Sequence, residues 1–366
     1  MFPARASGGS VHDGSCEDAR LRMAFVAANV TSAATREQRP RAPNTRESSQ
    51  MPHRPLTVRP FPLLLVAALP WLAAPAACAA IGRDAPAPPD LHDPIRWGRD
   101  GHLMSGLAAA TNLPAGMPQF FRDAREQLSY LSYEPDRWRD GRFPELNEAF
   151  QYDHFIDLEN VTPEALAARD RFQYLLTLSR AGLADPQSAG GLLPFRILEI
   201  YERLLVEFRI WRTETDPQSK RFVEARIIND AGILGHYVED GANPHHATIH
   251  FNGWAEGALN PNGYTFDRTF HRRFESDFVG ARVRVEDLLP RVRAPRTVDD
   301  VRAAVLQHVR DSNAQVGRLY DLEKQQPFGP QNNSPAHKEF AVERLSVGVD
   351  LLRSLWWTAW TQSAQP

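Results

Sequence analysis

An all-α fold follows from three observations. Apolar residues recur at three- and four-residue steps, as in Ile197, Ile200, Leu204, Leu205, Phe208 and Trp211, which places them along one helix face. Alternating β-branched runs of the kind strands need are nearly absent. Glycine and proline fall between the periodic stretches, at Pro135, Gly141, Pro144, Gly182 and Gly241, where they punctuate helices rather than strands. The reading is one multi-helix domain over residues 97–366, with no internal repeat.

The helices follow in order. Residues 98–110 and 117–132 read as the first two. A loop with Pro135, Gly141 and Pro144 leads to an acidic-aromatic stretch, Tyr152 to Asp157. Residues 162–182 form a third helix ended by Gly182, and 193–213 a fourth. Residues 217–240 are apolar on most sides, through Phe222, Ile227, Ile228, Ile233, Leu234 and Val238; such a helix is expected in the core. It stops at Gly241. A Gly/Asn/Pro-rich loop spans 247–265, a short helix 266–279, a long amphipathic helix 297–325, and a terminal helix 336–360.

The chain is 366 residues long, 42% hydrophobic and 24% charged, ordinary for a globular protein. Its first 96 residues are not. Residues 1–50 are polar, without apolar period, and are expected to be a non-native or disordered leader. From Met51, Arg54 and Arg59 precede the apolar run Phe61–Leu69, and small residues lead to Ala80. That order reads as a secretory signal peptide over 51–80, so a secreted or periplasmic location is expected. Pro70 and Pro75 make the run a poor membrane span. Residues 81–96 read as a linker or propeptide. The only cysteines, Cys16 and Cys78, both lie before the domain, and a lipid on Cys78 would be the one alternative anchor.

Residues 97–366 carry 31 of the 42 Lys+Arg and 37 of the 45 Asp+Glu, a net charge of −6. An evenly basic, nucleic-acid-coating surface is excluded. A phosphate-bearing substrate would have to be met by local metal and arginine charge.

The chemistry concentrates between His236 and Glu275. His236, Asp240 and His246 lie in one stretch, and His271 precedes Glu275 by the same four-residue step. That step sets both side chains on one helix face. Imidazole and carboxylate are the ligands zinc takes where thiols are missing. Each pair has a plainer reading, a satisfied core pair for His236 and Asp240 and an exposed helix contact for His271 and Glu275. Two pairs of equal spacing flanking a further histidine favour one site.

These residues resemble the zinc-dependent phospholipase C and S1/P1 nuclease superfamily. Its His-x3-Asp-x5-His mark is matched by His236, Asp240 and His246, with Pro244 two residues before the last histidine. His271 and Glu275 match the following His-x3-Asp/Glu. Upstream, Trp97 and His102 match Trp-x4-His, Asp136 and Arg139 match Asp-x2-Arg, and His154-Phe155-Ile156-Asp157 matches His-aromatic-Ile/Val-Asp. The order holds from Trp97 to Glu275.

The resemblance implies three zinc ions. Asp136, His154, His236 and Asp240 would hold one, and His246, His271 and Glu275 a second. The third would take His102, the bridging Asp240, and the amino and carbonyl groups of Trp97. It implies hydrolysis by a water acidified toward neutral pH, with Asp136, Arg139 and Asp240 in catalytic roles. Arg139 would grip phosphate, and Phe155 would stack a base or simply pack. Single-stranded nucleic acid or nucleotide is the expected substrate and phospholipid the alternative. A non-catalytic zinc-binding envelope protein is the third reading. Asp140, Asp153 and Asp157 compete with Asp136, while His245 and His250 are read as standing behind the ligands or on the loop surface. Glu275 and the lack of disulfides point to the phospholipase branch; Trp97–His102 and His154–Phe155 point to the nuclease branch. The family's tryptophan is the mature N-terminus, so cleavage at Arg96–Trp97 is expected.

Overall fold

The computed structural model describes residues 98–365. The predicted leader, signal and linker segments, and Trp97, lie outside them. Among the described residues the protein is helical, with two isolated bridges, Ile156–Gly191 and Phe251–Gly253, and no strand.

Nine helical stretches carry the framework: α1 (Arg99–Ala110), α2 (Arg125–Leu131), α3 (Arg171–Arg180), α4 (Leu193–Thr213), α5 (Pro217–Asp240), α6 (270–282), α7 (Val301–Asn313), α8 (Val316–Gln325) and α9 (Pro335–Gln362). The longest, α4, α5 and α9, pack on one another, and α1 lies against α2, α5 and α9. Their buried faces supply Leu204, Phe208, Ile227, Leu234, Leu345, Leu352 and Trp356 to one core. Each such side chain, fully buried, stabilises by about 1.5–3 kcal/mol before entropy is counted.

The caps account for several starts. Asp216 accepts from the Ser219 amide at 2.7 Å and opens α5, with Pro217 in its first turn; Asp300 does the same for α7 through Ala303 at 2.9 Å. Both satisfy amides that a helix start leaves orphaned.

Three predicted helices are broken. The 117–132 stretch bends at Ala124 into Gln119–Asp123 and α2. The 162–182 stretch divides because Asp170 caps a new start, accepting from Gln173 at 2.9 Å. The 297–325 stretch divides after Asn313, whose side-chain amide turns to the Ala247 carbonyl at 2.9 Å and the Glu159 carboxylate at 3.0 Å. Phe222, counted toward the core, is 60% exposed. The predicted helix at 266–279 begins at Phe270 and widens to a π-turn over Arg273–Phe278, a distortion that often marks functional positions. No described helix is long and apolar enough to cross a membrane.

Candidate metal centre

The site gathers where α5 ends. α5 delivers His236 and Asp240 from its last turns, both buried. Gly241 then closes the helix, and a short turn, Pro244–Ala247, carries His246. Two further tight turns, Pro135–Trp138 and Gln151–His154, bring in Asp136 and His154. α1 supplies His102, and α6 supplies His271 and Glu275.

Two triangles of ligand atoms result. In the first, His236 Nε2 lies 2.9 Å from His154 Nδ1 and 3.2 Å from Asp240 Oδ2, and His154 Nδ1 lies 3.0 Å from that oxygen. In the second, His271 Nε2 lies 3.2 Å from His246 Nε2 and 2.8 Å from Glu275 Oε2, with His246 Nε2 3.5 Å from the same oxygen. Ligands about 2.0–2.1 Å from one tetrahedral ion stand about 3.3 Å apart. Protons can satisfy two edges of such a triangle; a shared cation satisfies all three.

The ring orientations agree. His236 donates its Nδ1–H to the Ser132 carbonyl at 2.8 Å, and His246 donates its Nδ1–H to the His154 carbonyl at 2.6 Å. Each Nε2 is left aimed inward, the arrangement that backbone carbonyls give to metal-binding histidines. Glu275 Oε1, Asp136 Oδ2 and His102 Nε2 are buried without a hydrogen-bond partner, which is costly unless some other partner serves them. These groups can hold a metal ion.

Asp240 joins the groups. Its Oδ1 lies 3.6 Å from His102 Nε2 and 3.8 Å from His246 Nδ1, while Oδ2 faces the first triangle. Asp136 approaches one member of its predicted group, His236. Asp136 Oδ1 is 3.9 Å from His236 Nε2 and 3.6 Å from Arg139, and it belongs with His102 and His236. Its competitors are occupied or apart: Asp140 binds Arg142, Asp153 binds Arg171 and Arg196, and Asp157 joins no group of ligands. The exposed-contact reading of His271 and Glu275 also falls, since both are buried.

Electrostatics suit cation binding. Burial works against ionised Asp240 and Glu275, yet facing histidines hold both below the usual carboxylate range, Asp240 well below. Burial keeps His102, His154 and His271 neutral, with pKa values pushed down. Burial also opposes charge on His236 and His246, but the Asp240 carboxylate raises both, His246 to about 9. Arg139, half-buried, depresses both His154 and His271, so its charge is felt by both triangles.

Among residues not singled out earlier, Glu239 Oε2 lies 2.8 Å from His102 Nδ1, and Asn243 donates to Glu275 Oε2 at 3.1 Å. Their only signal was adjacency to the ligands in a buried stretch. His245 stacks behind His271, ring centroids 4.7 Å apart, and His250 stacks on Trp254 at 3.6 Å; both stand behind the site. Phe155 is half-buried beside His154. Phe251, exposed, lies with its ring centroid 6.4 Å from that of His271. Trp97 lies outside the described residues, but its neighbour Gly98 packs on α6: a Cβ there would meet the Glu275 carbonyl at 3.1 Å.

Comparison with known family models, curated proteins and solved structures returned no match.

Proposed function

We propose that the chain is a zinc-dependent phosphodiester hydrolase of the phospholipase C and S1/P1 nuclease type, acting on single-stranded nucleic acid or nucleotides. The observation that carries this is the pair of ligand triangles joined through Asp240, which no core of paired residues requires. In this reading three zinc ions would be held, one at His154, His236 and Asp240, one at His246, His271 and Glu275, and one at His102 and Asp240. Asp136 would serve beside His102 and His236. Zinc bound there would supply Lewis acidity and acidify water toward neutral pH.

The chain's own residues then bind and orient. Arg139 offers a fork of donors for a phosphoryl oxygen, held near Asp136. Phe155, next to His154 in sequence, and Phe251, whose ring centroid is 6.4 Å from that of His271, would offer ring faces to a base. A mature chain beginning at Trp97 and a secreted protein belong to the same reading.

Phospholipid is the second reading, and one observation favours it. Trp254 and Tyr264 pack against Tyr320. Phe251, Leu259 and Phe266, in and just after the same loop, are exposed apolar side chains of the kind a lipid interface takes up. Hydrolysis of single-stranded DNA and of phosphatidylcholine vesicles by the purified chain tests both. Cleavage of neither, by protein loaded with zinc, overturns the enzyme reading.

A further inference from the structure

Glu239 immediately precedes the carboxylate at which the ligand groups meet, and it is buried. His102 Nδ1 lies 2.8 Å from Glu239 Oε2, within hydrogen-bond reach. A neutral imidazole that donates from Nδ1 keeps a bare lone pair on Nε2. That Nε2 faces Asp240 Oδ1 at 3.6 Å and has no hydrogen-bond partner. Lone pair against carboxylate is repulsive unless positive charge lies between them.

The partners of the other inward-facing rings differ. His236 and His246 donate to neutral backbone carbonyls, whereas the partner of His102 Nδ1 is an acidic side chain. A carboxylate behind the ring makes it a stronger donor to a cation. Two glycines lie at ordinary contact distance from Glu239. A Cβ on Gly348 of α9 would come 3.4 Å from Glu239 Cα and 3.7 Å from its Cγ, and one on Gly235 of α5 would come 3.8 Å from Oε1.

We propose that Glu239 is a positioning residue of the metal centre, holding His102 in the tautomer and orientation in which Nε2 joins Asp240 in binding a divalent cation. This rests on the zinc reading above.

The test is zinc titration of the full chain against a competing chelator, with zinc alone as the probe. In Glu239→Leu the weakest-held ion should bind roughly 10–100-fold less tightly, the range for loss of a group behind a ligand. Glu239→Gln, whose amide oxygen can still accept from Nδ1, should recover most of that. Equal zinc content and affinity in Glu239→Leu and wild type would overturn the proposal. Long-range proton–nitrogen spectra of the zinc-loaded wild type need no variant: His102 with its proton on Nδ1 supports the role, and a proton on Nε2 refutes it. A wild-type chain that binds no zinc would remove instead the functional reading beneath it.

Discussion

The Nε2 atoms of His246 and His271 face each other across 3.2 Å, and His246 hands its Nδ1–H to the carbonyl of His154. A ligand of the second triangle is thus bonded to the backbone of a ligand of the first. The two groups therefore form one unit, with Asp240 at its centre. Asp240→Asn should lose at least one bound ion. Its kcat should fall by more than the roughly 10–100-fold typical of residues behind a ligand, with the helical circular dichroism spectrum kept. Steady-state turnover beside metal analysis checks this.

Phe251 tests the substrate. If its ring stacks a base, Phe251→Ala forfeits roughly 1–3 kcal/mol, seen as a higher KM on oligonucleotides with kcat largely kept. If the exposed loop meets lipid, the same change weakens vesicle binding and leaves oligonucleotides unaffected.

Gly191 holds a backbone φ of +72°, and a Cβ there would meet the Phe155 carbonyl oxygen at 2.1 Å and its carbon at 2.7 Å. The collision is with backbone, in a left-handed conformation that already costs other residues of order 1 kcal/mol or more. Gly191→Ala should lower Tm and, by displacing the turn that carries His154, weaken zinc binding. A thermal melt with and without chelator separates the two effects.

Asp157 gives a pH signature away from the ligands. Burial, then Glu159, raises its pKa to about 7, and Oδ1 has no hydrogen-bond partner. The folded state binds this proton more tightly than the unfolded chain, so Asp157 costs stability progressively as pH rises from about 4 to about 7. Asp157→Asn should raise Tm at pH 8 and change it little at pH 4. An equal shift at both pH values would contradict the assignment.

Much of this was legible in the residues, for identifiable reasons. α4 and α5 follow from periodicity, and their ends from Pro217, Asp216 and Gly241, because propensity, caps and burial all agree there. The ligand set could be read because metal chemistry restricts residue type and because i,i+4 spacing survives in sequence. What could not be read was long-range. The grouping of Asp136 depends on how a short turn docks against His236. Glu239 is a ligand-orienting group only because α1 brings His102 over it. The breaks at Asp170 and Asn313 are side-chain choices, capping an amide and reaching Ala247, that helical periodicity cannot register. The packing of Trp254 and Tyr264 rests on Tyr320, distant in sequence.

The most direct test of the central claim is zinc content per chain, by elemental analysis of the purified protein, before and after dialysis against chelator. About three ions per chain, with hydrolysis lost on removal and restored on zinc addition, is the expected result. No bound zinc would contradict it, leaving the His/Asp triangles as hydrogen-bonded core contacts.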